Sequence, residues 1–235
     1  MSYFSTEPSR LPPSCPNVSL FRFLSSTGTS LPGKHVLELG FGGNHGSDLI
    51  ECYRRGSQSC LGIDINPAYV KDFNKRASSF LLDSSNENTN TPDFPSLGAL
   101  CSDIASFDFS SLRKFDIVIC RDTIYYLSDH EISTLFLSLR ECLSPAAVFC
   151  VQFIETDLLL SSSLLDFDAA SFMCGSHAPL HDPSNPLRYL RPSYVINLAE
   201  PANFLLLAHS TYLESYDSLA SHFRVNKYLL LSAAP

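Results

Sequence analysis

Apolar residues in this sequence come in short runs, separated by polar or glycine-rich breaks. Residues 35–39, 59–65, 97–101, 115–120 and 147–154 each read as a strand. The unbroken Ile117-Val118-Ile119 is what a strand covered on both faces requires. Between the strands the apolar spacing changes to three and four. Val70, Phe73, Ala77 and Phe80 predict one helix face, with Asn66 as its cap and Pro67 at the first helical position. Ser128 and Glu131 form a capping box ahead of Ile132, Leu135, Phe136, Leu139 and Leu143. A shorter helix is predicted over 47–55, stopped by Gly56. The polar stretch 84–96, with two prolines, reads as a surface loop.

The rhythm breaks in the last third. Residues 157–192 carry Pro179, Pro183, Pro186 and Pro192 and read as irregular. A short helix is predicted at 193–200, then strand-like runs at 204–212 and 223–232. The polar stretch between these two runs is too short for a crossover helix, so they form an antiparallel hairpin. Strands alternating with helices make βαβ units. The expected fold is α/β, a three-layer αβα sandwich with a mostly parallel seven-stranded sheet and a C-terminal antiparallel hairpin. Residues 1–30, rich in Ser and Pro with one apolar patch at 18–24, read as an N-terminal leader or lid with one short helix packed on the core. Residues 31–235 read as a single domain, with 157–192 as an irregular insertion.

Composition narrows the function classes. The 235 residues are 45% hydrophobic and 17% charged, enough for one sizeable core. The formal net charge of -8, with no basic stripe, argues against a nucleic-acid partner. No apolar run approaches the roughly 20 residues of a membrane span, and the first ten residues show no secretory pattern. The eight cysteines are scattered, without a CxxC pair or zinc spacing. Cys60, Cys101, Cys120 and Cys150 fall in strand runs and read as small buried hydrophobes. A cytoplasmic protein without a resident metal is expected.

The candidate chemistry begins at Glu38-Leu39-Gly40-Phe41-Gly42-Gly43-Asn44-His45-Gly46. A glycine-rich turn after a strand lets backbone approach a ligand closely and delivers it to a helix N-terminus. Twenty-two residues beyond Gly42, Asp64 closes the next strand, where a carboxylate can accept both hydroxyls of a ribose. A charge at Glu38, ending a buried strand, is costly unless it has a partner.

These residues resemble the class I methyltransferase superfamily. Its first motif is an acid, a spacer and a G-x-G-x-G turn, matched by Glu38, Gly40 and Gly42, with Asn44 at the third glycine position. Asp64 matches its acidic strand end, Asp103 with Ile104 its aspartate after strand three, and Phe115-Asp116 the opening of its fourth strand. The resemblance covers roughly residues 33–155. It implies S-adenosyl-L-methionine as cofactor, with Glu38 near the methionine amino end, Asp64 on the ribose and Asp103 on the adenine amino group. Gly40, Gly42, Ile65, Ile104 and Arg121 complete the implied cofactor set. The cofactor already carries an activated methyl, so the protein's work is mostly positioning.

On the acceptor side, Asp122, Tyr125 and Tyr126 follow the fourth strand, and Asp122 or a tyrosine hydroxyl can orient a substrate there. His177, His181 and Tyr189 lie in the irregular insertion, read as a polar lid over the acceptor. Pro179 between the histidines argues against a shared metal-binding helix face. The family's base-methylating branch carries [DN]-P-P-[YF] where this chain has Arg121-Asp122-Thr123-Ile124, so a small-molecule or peptide acceptor is expected. Two rivals stand beside this reading. An NAD(P)-dependent oxidoreductase would need a third glycine where His45 sits. A degenerate methyltransferase-like domain would serve as a binding module, and Asn44 is the departure that keeps it open.

Overall fold

The computed structural model describes residues 17–42, 45–84, 96–154, 190–215 and 223–233. His177, His181 and Tyr189 lie outside these residues, as do Gly43, Asn44 and most of both predicted irregular stretches. The elements are α1 (Val18–Ser26), β1 (His35–Leu39), α2 (Ser47–Arg54), β2 (Ser59–Asp64), α3 (Pro67–Ser84), β3 (Leu97–Cys101) and β4 (Phe115–Arg121). After these come α4 (Asp129–Leu139), β5 (Leu143–Ile154), α5 (Pro192–Ala199), β6 (Phe204–Ser215) and β7 (Phe223–Ala233).

The seven strands form one sheet in the order β3-β2-β1-β4-β5-β7-β6. β1 to β5 are mutually parallel, and β7 runs antiparallel to both its neighbours, β5 and β6. The expected α/β sandwich with its closing hairpin is therefore the observed one. Alternation along β4 shows why its run is unbroken. Ile117 and Ile119 bury against α1, α2 and α3 on one face, and Val118 and Cys120 against α4 and α5 on the other. Each fully buried Leu or Phe in these layers contributes about 1.5–3 kcal/mol relative to exposure.

Several boundaries differ from the sequence reading. Leu143 opens β5 instead of closing α4. The helix stops at Leu139, and a 3-10 turn over Arg140–Cys142 carries the chain into the sheet. β5 pairs Leu143 with Phe115, bulges, and resumes at Val148 with Ile117. Ala146 takes the positive φ of 62° that the bulge needs, and the Ser144 hydroxyl ties the bulge to Asp116 Oδ1 at 2.9 Å. The short helix expected within the leader is α1, which buries Leu20, Phe21, Phe23 and Leu24 in the core on the α2–α3 face of the sheet, with Phe23 packed on Tyr228 of β7. Cys60, Cys120 and Cys150 are buried as expected, whereas Cys101 is exposed where β3 ends. The capping box at Ser128 and Glu131 is formed in both directions.

Candidate functional site

β1 lies between β2 and β4, and the chain leaves β1 toward α2 on one face of the sheet and leaves β4 toward α4 on the other. The loops after β1 and β4 therefore diverge and open a crevice at the strands' carboxyl ends. Gly40 turns the chain there with φ 70°, in the left-handed region. A Cβ on Gly40 would stand 2.1 Å from Thr123 Oγ1, so the turns after β1 and β4 are pressed together. Thr123 closes that contact by donating to the Gly40 carbonyl at 3.0 Å. Phe41 points into the core against Phe73, and its ring takes the space a side chain at Gly62 would fill.

Asp64 is 6% exposed and is held by two backbone donors. Gly42 N–H reaches its Oδ2 and Asn66 N–H its Oδ1, both at 2.8 Å. Burial raises the Asp64 carboxyl above its ordinary value, and these two hydrogen bonds pull it partly back. The carboxylate is thus fixed beside the glycine turn, with lone pairs remaining for a hydroxylated ligand.

The charges around Glu38 do not balance. Glu38 is buried, and its Oε2 has no hydrogen-bond partner. Burial pushes its carboxyl well up, Asp48 adds to that, Arg121 opposes it, and Asp64 adds again. Asp48, in the first turn of α2, is fully buried; its Oδ2 lies 2.9 Å from Arg121 Nε and its Oδ1 accepts Asn17 N–H at 2.7 Å. Arg121 Nη1 also reaches Asp122 Oδ2 at 3.4 Å. Among the described residues, Glu38 and Asp48 thus face the Arg121 guanidinium while Asp64 adds a further negative charge beside Glu38, and the crevice suits a cationic ligand.

At the β2–β3 edge, Ile65 is 50% exposed whereas Ile104 is buried. Asp103 is half-buried, and its Oδ1 accepts Ala105 N–H at 2.9 Å. This edge offers an apolar face beside a carboxylate. On the other side, Asp122 adopts φ 55°, a left-handed conformation that costs a non-glycine residue about 1 kcal/mol or more. The Tyr125 hydroxyl donates to Asp122 Oδ1 at 3.1 Å, and the Tyr125 and Tyr126 rings lie 4.8 Å apart. Tyr125 is buried and Tyr126 is 40% exposed. Burial pushes the nearby Cys120 thiol up to about 12, which keeps it neutral. Among the described residues no group of His, Cys, Asp and Glu is arranged to hold a metal.

The structure gathers Glu38, Gly40, Gly42, Asp64, Arg121, Asp122, Tyr125 and Tyr126 around one crevice, with Ile65, Asp103 and Ile104 along its β2–β3 edge. Sequence reasoning missed Asp48, Thr123 and Asn17. Asp48 carried a readable signal, an acid in the first turn of the helix that follows the glycine loop. The other two had none, because their roles depend on contacts with distant elements.

Fold and crevice together define an α/β protein of the class I methyltransferase type. A family model described as a methyltransferase domain matches residues 17–209, and the chain belongs to that family. No curated protein matches it in sequence. Among solved structures, the magnesium protoporphyrin IX methyltransferase of Synechocystis PCC 6803 with bound S-adenosylhomocysteine is 18% identical. Its TM-score is 0.61, over 92% of this chain and 80% of that one. A methyltransferase from Methanosarcina mazei is 13% identical with TM-score 0.61, covering 93% and 98% of the two chains. The glycopeptide N-methyltransferase MtfA is 16% identical with TM-score 0.61, covering 94% and 97%. At these identities the likeness is one of fold.

Proposed function

We propose that the chain transfers a methyl group from S-adenosyl-L-methionine, the cofactor of its family, to a small-molecule or peptide acceptor. One observation carries the reading: the buried Glu38 carboxylate, with Oε2 unpartnered, in a crevice where, among the described residues, Asp48 and Asp64 add negative charge and Arg121 opposes it. A buried anion of this kind is stabilised by a positively charged partner. The cofactor's ammonium and sulfonium supply that charge, and the ammonium fits Glu38. Asp64 would take the ribose hydroxyls, and Ile65 with Ile104 and Asp103 would receive the adenine. When bound, the cofactor supplies a methyl group activated by its sulfonium.

The chain's own contribution on the acceptor side lies at Asp122 and Tyr125. Arg121 and the Tyr125 hydroxyl hold the Asp122 carboxylate in place. Tyr125 oxygen can take a proton from an acceptor as it passes its own to Asp122 Oδ1, 3.1 Å away. His177, His181 and Tyr189 remain proposed lid residues. The formal charge of -8 supports a small-molecule or peptide acceptor over a nucleic acid. Among the described residues no helix is long and apolar enough to cross a membrane. The six described cysteines are free, which supports a cytoplasmic setting.

Titration calorimetry with S-adenosylhomocysteine, run beside NADH, tests the reading. Micromolar binding of the first alone supports it. Binding of NADH alone moves the site to redox chemistry, and binding of neither leaves a domain that works as an interaction module.

A further inference from the structure

Glu38 and Arg121 stand on one face of the sheet. β1 and β4 are parallel and pair Glu38 with Ile119, so Arg121 lies two residues farther along the neighbouring strand. Val36, Ile117 and Ile119 bury on the face covered by α1, α2 and α3, and alternation puts Glu38 and Arg121 on that face too. Side chains in this diagonal relation are within reach of each other when one is as long as arginine. A buried carboxylate beside a guanidinium is stabilised by pairing with it. Glu38 Oε2 nevertheless accepts no hydrogen bond. The guanidinium is turned to two other acids instead, with Nε 2.9 Å from Asp48 Oδ2 and Nη1 3.4 Å from Asp122 Oδ2.

Asp48 is placed to draw Arg121 away. It sits in the first turn of α2, fully buried, on the helix whose Leu49 and Cys52 pack on this same face of the sheet. Each of its oxygens is engaged: Oδ2 by Arg121, and Oδ1 by Asn17 N–H at 2.7 Å. Asn17 is anchored in turn, because its Oδ1 accepts Leu20 N–H at 2.8 Å and lies 3.2 Å from the Tyr228 hydroxyl. The carboxylate is therefore a fixed counter-ion and cannot swing aside. The influences on the Glu38 carboxyl agree with this arrangement: burial and then Asp48 raise it, and Arg121 opposes them more weakly than Asp48 acts.

We propose that Asp48 is a positioning residue: by engaging Arg121 it keeps the chain's own cation off Glu38 and reserves that buried carboxylate for the ammonium of the cofactor. This rests on the cofactor reading above. Asp48 touches no ligand itself; it acts through Arg121.

Calorimetric affinity for S-adenosylhomocysteine, measured on wild type, Asp48→Asn and the double variant Asp48→Asn/Arg121→Gln, tests it. Asp48→Asn keeps the shape and an acceptor for Asn17 N–H but leaves the guanidinium charge to Glu38. It weakens binding about 10- to 100-fold, the effect of one uncompensated charge several ångströms away at a protein-like dielectric. Adding Arg121→Gln withdraws the competing cation and returns the affinity to within about fivefold of wild type. A loss below about threefold in Asp48→Asn overturns the inference. So does a double variant that binds no better than the single one, because a purely structural pair, or an Arg121 that holds the ligand directly, gives no rescue. If Asp48→Asn alone does not fold, the double variant is read against wild type: affinity within about fivefold supports the proposal, and any greater loss overturns it. A wild-type protein that does not bind S-adenosylhomocysteine overturns the cofactor reading, and this inference with it.

Discussion

The Asp48 carboxylate, fully buried at the start of α2, lies 2.9 Å from Arg121 Nε at the end of β4. The same carboxylate accepts the backbone N–H of Asn17, whose side chain caps α1 and meets the Tyr228 hydroxyl of β7 at 3.2 Å. One ion pair therefore joins the crevice, the N-terminal helix and the closing hairpin. Asp48→Ala removes the carboxylate 2.9 Å from Arg121 Nε together with the acceptor of Asn17 N–H, and lowers stability by about 3–5 kcal/mol. Urea denaturation of variant and wild type checks this, and a loss under about 1 kcal/mol would show that the pair contributes no more than a surface one.

Gly40 and Thr123 make a second coupling. Gly40→Ala forces a side chain into the left-handed region and against Thr123, and costs about 2–4 kcal/mol. Thr123→Gly in the same chain removes the collision and leaves only the backbone part, about 1–2 kcal/mol. A double-mutant cycle on unfolding free energy measures the difference. Strict additivity would mean that the two turns do not touch.

Glu38 carries a pH dependence of defined sign. Its carboxyl is raised in the folded protein by burial first and by Asp48 next. The folded state therefore holds the proton more tightly than the unfolded chain does. Stability of the ligand-free protein falls as pH rises from the ordinary carboxylate value through the raised one. Glu38→Gln removes this contribution, is more stable than wild type near neutrality, and binds the cationic cofactor more weakly. Asp64 is raised as well, so part of the slope persists in the variant. Thermal melts at about pH 5 and about pH 7.5 read the slope, and an unchanged profile would place Glu38 in contact with water.

Asp64→Ala withdraws the acceptor proposed for the ribose and releases Gly42 N–H and Asn66 N–H. Affinity for S-adenosylhomocysteine should fall roughly 10- to 150-fold, the worth of hydrogen bonds to a charged group. Wild-type affinity in this variant would move the ribose elsewhere.

Local pattern placed most of the sheet. Each strand from β1 to β4 is a compact apolar run between glycine or polar breaks, and α3 and α4 announce themselves by spacing and caps. β5 was read short because its first residues form a bulge, and a bulge is stabilised by the neighbouring strand and by Asp116, four residues ahead of Cys120 in β4. Leu143 continues the helical spacing of α4, so only pairing with Phe115 could assign it to the sheet.

What the sequence determined by itself was the alternation of strands and helices, the glycine turn, and the acids at the ends of the first two strands. These follow from period, propensity and the conformations that glycine alone tolerates, all of which act over a few residues. The tertiary structure decided the order of the strands, the contact of Gly40 with Thr123, and the pairing of Asp48 with Arg121 and Asn17. Those contacts join residues tens of positions apart, and the charge imbalance at Glu38 exists only once burial has removed the water that would otherwise screen it.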